Sequence, residues 1–106
     1  VRVVLCNCPP AEAERIARGL LEARVAACVN LVPGVRSLYW WQGAVCDEVE
    51  TTLLIKTADD RVDALRATIE RLHPYEVPEV VVLEVDVARS LSAYVDWVER
   101  ETRGPR

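Results

Sequence analysis

The first eight residues, VRVVLCNC, are mostly apolar and β-branched at both odd and even positions, the pattern of a strand covered on both faces. Pro9-Pro10 stops it. From Ala11 the period lengthens: Ala13, Ile16, Ala17 and Leu20 recur at helical spacing, with Glu12, Glu14, Arg15, Arg18 and Glu22 outside them. Proline at the entry and glutamates in the first turn suit the start of a helix. Gly19 lies inside this helix, where glycine costs about 1 kcal/mol against alanine, so it predicts a close backbone approach. Ala26 to Val32 turns extended again, Pro33-Gly34 bends it, and VRSLYWWQ resumes it up to a reverse turn at Gln42-Gly43-Ala44. The returning strand alternates, with Val49, Thr51, Leu53 and Ile55 on one face and Glu48, Glu50, Thr52, Leu54 and Lys56 on a wetter one. Thr57 and Asp60 form a capping-box-like pair opening a second helix, whose inner stripe is Val62, Leu65, Ile69 and Leu72 and which His73-Pro74 closes. PEVVVLEVDV predicts a last strand. SLSAYVDWVERET predicts a last helix with Leu91, Tyr94, Val95 and Val98 inward, followed by a frayed Arg103 to Arg106.

The order β-α-β-β-α-β plus a terminal helix predicts an α+β fold, the ferredoxin-like split βαβ arrangement, with helices on one face of an antiparallel sheet. Its middle hairpin is too long for the body. The sixteen residues from Ala27 to Gln42 would extend to about 50 Å, against a diameter of roughly 35 Å for a domain of this size. The overhang carries Tyr39 and Trp41 on one face and Trp40 on the other, so a neighbouring subunit is the expected shelter for these rings.

Composition narrows the function more than the fold. One hundred and six residues make a single domain, and 51% apolar with 28% charged residues is the balance of a folded globular chain. A net charge of −4 without a basic stripe argues against nucleic acid as a partner. No apolar run approaches the ~18 residues that span a bilayer, which argues against a membrane and for the cytoplasm.

Candidate chemistry is sparse. Four glycines form no phosphate loop, no Cys-x-x-Cys occurs, and no serine sits in a nucleophile-elbow sequence, so the chain is not expected to be an enzyme. Cys6 and Cys8 point the same way from one strand, in poor geometry for a mutual disulfide, and Cys28 reads as a small core residue. The sole histidine, in HPYEVPE, has two readings: a cap on the second helix, or a soft-metal ligand together with thiols. The two prolines of that segment make it a stiff connector that delivers Tyr75 and Glu79 at fixed angles. Glu50 and Lys56 lie ~20 Å apart on one strand, so their partners must come from elsewhere.

AACVNLVPGVRSLYWWQG, ETTLLIKT, HPYEVPEVVVL and YVDW follow in the order and spacing of the CutA family of divalent-cation tolerance proteins, which the chain resembles over nearly its whole length. The resemblance implies a homotrimer similar to the PII signalling proteins, with the long hairpin crossing the subunit boundary. It further implies copper or another divalent cation as ligand, no required cofactor and no reaction. On this resemblance His73, Cys28 and Cys6 are the candidate metal ligands, and Lys56, Tyr75, Glu79, Glu50 and Asn30 belong to a cleft between subunits. Tyr39, Trp40, Trp41 and Trp97 fall to the trimer interface, Trp40 through the overhang. Two other roles stay open: a PII-like sensor whose cleft holds an anionic metabolite on Lys56, and a non-catalytic scaffold. The chain departs from the family pattern at Asn7-Cys8-Pro9, where Cys8 is an extra thiol, and at Glu84, where proline is common.

Overall fold

The computed structural model describes residues 1–103; the expected fraying of Gly104 to Arg106 lies outside them. The chain runs β1 (Arg2–Cys8), α1 (Ala13–Glu22), β2 (Cys28–Trp41), β3 (Ala44–Thr57), α2 (Val62–Leu72), β4 (Val81–Glu84) and α3 (Ser92–Glu101). Short 3-10 turns at Pro10–Glu12 and Asp59–Arg61 lead into the first two helices, and one at Val87–Arg89 precedes the third. The four strands form one antiparallel sheet in the order β2-β3-β1-β4, the ferredoxin-like arrangement.

The core is the layer between this sheet and the first two helices. Val4, Cys6 and Cys8 of β1 and Leu53 and Ile55 of β3 face Ile16 and Leu20 of α1 and Leu65 and Ile69 of α2, all fully buried. The predicted stripe of α1 is the observed one, Ala13, Ile16, Ala17 and Leu20. Gly19 marks the expected close approach: a Cβ there would meet Leu72 Cδ1 at 2.6 Å. The stripe of α2 is displaced, since Thr68 is buried while Val62 and Leu72 are only partly covered.

Several expectations are corrected. Thr57 caps no helix; its hydroxyl is buried and donates to the Val25 carbonyl at 2.7 Å. Ala44 belongs to β3, so the hairpin turn is the two residues Gln42 and Gly43, at φ 50° and 81°. Two successive positive φ values match the twist of the flanking strands. Gly34, at φ 70°, sits in the irregularity between Val32 and Val35, where the bend was expected. Val49 is 61% exposed because the strand has already left the helices behind, and Glu50 on the supposedly wet face is 5% exposed.

Beyond the bulge β2 and β3 continue as a two-stranded arm, and the molecule measures 44 × 30 × 21 Å. The opposite face of the sheet is largely bare. Leu5 pairs with Leu54 and Val81 on that face, and Val3 with Leu83. Helix α3 buries only Val98 well, while Leu91 and Tyr94, expected inward, are 74% and 43% exposed.

Candidate functional site

The connector between α2 and β4 replaces a strand along the end of β1. A residue's N–H and C=O point to the same side of its strand, and at Asn7 both serve this segment. The Asn7 carbonyl accepts from His73 Nε2 at 2.8 Å, and the Asn7 amide faces the Glu79 carboxylate. Pro78 cannot donate to a ladder, which suits β4 beginning only at Val81.

His73 is 7% exposed and both ring nitrogens are engaged. Nε2–H donates to Asn7, and Nδ1 accepts the Tyr75 amide at 3.1 Å, which fixes the tautomer. His73 does end α2 as its C-cap, its backbone amide donating to the Ile69 carbonyl at 2.8 Å, but its imidazole bonds none of the helix carbonyls; Arg15 of α1 donates to that of Leu72 at 2.8 Å. The Tyr75 ring stands 4.6 Å from the His73 ring, and its hydroxyl donates to Glu50 Oε2 at 2.8 Å. Burial, with Glu50 beside it, pushes the Tyr75 phenol well above its ordinary range. Glu79 is raised above the usual carboxylate range by desolvation and then by the Glu50 charge.

Glu50, Tyr75 and Glu79 line a cavity of about 800 Å³ together with Asn7 and, from the arm, Ser37, Tyr39 and Trp41. The register of the hairpin sets the arm's part of this lining: Val35, Ser37 and Tyr39 stand opposite Glu50, Glu48 and Cys46. Glu48, Glu76 and Cys46 were not singled out from the sequence. A two-residue turn fixes Trp41 opposite Ala44, and counting back from it would have placed Glu48 and Cys46 beside Tyr39.

The three candidate metal ligands do not meet within the chain. Cys6 is buried on the core face, and burial, then Cys8, push its thiol up to about 12, so it offers no thiolate at neutral pH. Cys8 is raised to about 11, by burial and then by Glu50. Cys28 pairs with Lys56 across β2 and β3 and lies on the opposite face, so the sheet itself separates it from Cys6. It is half-buried, not a core residue, with Sγ 3.9 Å from Asn30 Oδ1. His73 has no free lone pair for an ion. Among the described residues no three His, Cys, Asp or Glu side chains converge on one point.

The cleft set also divides. Glu50, Tyr75 and Glu79 assemble at the cavity, while His73 points away from it. Lys56 and Asn30 form a separate pair on the open face, Nζ bonding Oδ1, near Cys28 and Tyr94. Of the aromatic residues assigned to an interface, Trp40 is 73% exposed and Trp41 41%, Tyr39 and Trp97 are partly covered, and Trp97 stacks on Tyr94 at 5.6 Å. No helix of the described residues is long and apolar enough to cross a membrane.

Comparison with known proteins agrees with this architecture. The divalent-cation tolerance protein CutA of Thermus thermophilus is 45% identical over 101 residues, 94% of this chain and 96% of that one. Human protein CutA is 39% identical over 103 residues, and the chain spans 56% of its length. The PII-like protein CutA from Nostoc, solved in apo form, superposes with a TM-score of 0.94 at 48% identity, covering 99% of this chain and all of that one. With residues 2–101 matching the family of CutA1 divalent ion tolerance proteins, this chain belongs to that family.

Proposed function

We propose that this chain works as a homotrimeric, PII-like divalent-cation tolerance protein that holds copper or a similar ion in its acidic cleft and catalyses no reaction of its own. The observation that carries the reading is Glu50, a carboxylate 5% exposed, beside Glu79 and with no basic partner among the described residues. A buried carboxylate without countercharge is costly, and a bound cation offsets that cost. Oxygen donors suit divalent ions. The bare sheet face of Leu5, Leu54, Val81 and Leu83 supports association with further copies.

Two measurements test it together. Native mass spectrometry of protein purified without chelators should return three copies and retained ion. Calorimetry with Cu(II) and Zn(II) should show about tenfold weaker binding in Glu50→Gln or Glu79→Gln. Titrations unchanged in these variants but lost in Cys28→Ala would move the ion to the open face.

A second reading is favoured by the cavity's size. At about 800 Å³ it suits a small molecule better than a bare ion, as in a PII-like sensor. Within one chain the cavity holds the carboxylates and not Lys56, so an anionic metabolite would need a neighbouring copy's lysine to complete its site. Under the third role, a scaffold, neither metals nor small molecules raise the melting temperature.

A further inference from the structure

The charge lining the cavity is one-sided. Glu48, Glu50, Glu76 and Glu79 face it, and among the described residues none is paired with a lysine or arginine. Arg36 is the one basic residue on the wall, and both its bonds go to Asp47, at 2.9 and 2.6 Å. Glu50 is 5% exposed; one oxygen takes the Tyr75 hydroxyl and the other accepts no hydrogen bond among the described residues. Its stem is covered while its free oxygen opens on the cavity, an arrangement that suits a positive partner entering there.

Three features argue that this partner is polyatomic. The volume, about 800 Å³, is that of an organic-ligand site. The carboxylates line the space without converging, since no group of three ligating side chains meets around one point among the described residues. The rings of Tyr39, Trp41 and Tyr75 line the same space as the acids, and such rings attract cationic nitrogen through their faces and cover methylene groups through their area.

We infer that the cavity binds an organic polyammonium ion of the di- or triamine class, its carbon chain on Tyr39, Trp41 and Tyr75 and its ammonium groups on Glu50 and Glu79. This rests on the small-ligand reading of the cleft and reverses the ligand charge expected from Lys56. Several carboxylates facing one cavity favour a ligand with more than one ammonium group over a monoamine.

Spermidine is the probe, titrated calorimetrically into the whole protein at 0.15 M salt to suppress diffuse attraction to an acidic surface. The expected result is saturable binding with a raised melting temperature, weakened about tenfold by Glu50→Gln and by Glu79→Gln and several-fold by Trp41→Leu. Glu22→Gln, an exposed position at the end of α1, should leave it unchanged. Circular dichroism of each variant separates lost binding from lost folding. Equal affinity in Glu50→Gln and Glu22→Gln would mean that only diffuse charge is sensed, and would overturn the assignment. Binding of a dicarboxylate or nucleotide in place of spermidine would keep the cleft as a ligand site but overturn its cationic class. Cu(II) binding lost in Glu50→Gln, with no response to spermidine, would leave the metal reading standing and remove this one.

Discussion

At the scale of single residues the site is organised by Glu50. Its one fixed partner, the Tyr75 hydroxyl at 2.8 Å, comes from 25 residues further along the chain. Tyr75→Phe should therefore destabilise the protein by about 1–3 kcal/mol, the cost of leaving a buried charged acceptor without its donor. Urea denaturation of the single and the Tyr75→Phe/Glu50→Gln double variant checks this; an equal loss in both backgrounds would mean that the bond is not the cause. The buried thiols nearby are raised first by burial, and only after that by neighbouring charges such as Glu50. Cys6 keeps its proton up to about 12, whereas an ordinary thiol releases it near 9.0. Above pH 9 the unfolded chain loses protons that the folded chain retains, so stability falls with rising pH, by on the order of 1 kcal/mol per pH unit for one thiol. Glu79 acts in the acid range and in the same direction: its raised value means that the folded chain takes up a proton first as pH falls, which favours folding there. Urea midpoints between pH 8 and 10.5 should fall less steeply in Cys6→Ala than in the unchanged protein. Parallel slopes would exclude the thiol as the cause.

At the scale of elements, the arm depends on its turn. Gln42 and Gly43 both sit at positive φ, which glycine adopts without strain and glutamine does not. Gly43→Ala should cost on the order of 1 kcal/mol, and Gln42→Asn should return a few tenths, both read from thermal unfolding. No loss in Gly43→Ala would mean that the arm does not depend on this turn. The legibility of the elements follows from where their partners lie. The faces of β1, α1 and the inner half of β3 were readable because each packs against another element of the chain, so period alone sorts inside from outside. Glu50 was misread because the hairpin leaves the helices at that point. There alternation still separates two faces but no longer says which one is covered. The connector was legible as stiff, from its two prolines, but not as the substitute strand that occupies both main-chain groups of Asn7. That role needs the register of β1, which no local pattern contains. Leu91 and Tyr94 of α3 were expected inward by their spacing, and within one chain both stay exposed, Tyr94 meeting only Trp97 and the neighbourhood of Cys28 among the described residues.

At the scale of the molecule, those unmatched surfaces belong together. The chain has a radius of gyration of 14.4 Å, against about 13 Å for a compact domain of this length, and the excess fits an arm that leaves the body. Helices α1 and α2 cover one side of the sheet, and the other side presents Leu5, Leu54, Val81 and Leu83 in adjacent registers. A monomer in water would expose this face together with Trp40, and such a surface favours association. Closed symmetry covers it without leaving a free edge, whereas an open arrangement would continue into fibres. The trimer proposed for this chain thus predicts a particular sensitivity. Leu54→Glu puts a charge at the middle of the bare face while leaving the helix-packed core untouched. It should convert a species of about three times 11.9 kDa into single chains that keep their circular dichroism. Trp40→Ser, at the far end of the arm, should weaken assembly less, because one exposed ring contributes less than the centre of a continuous patch. Sedimentation velocity of the three proteins decides the matter. If Leu54→Glu sediments like the parent, this face is not where the copies meet, and the arm alone must join them.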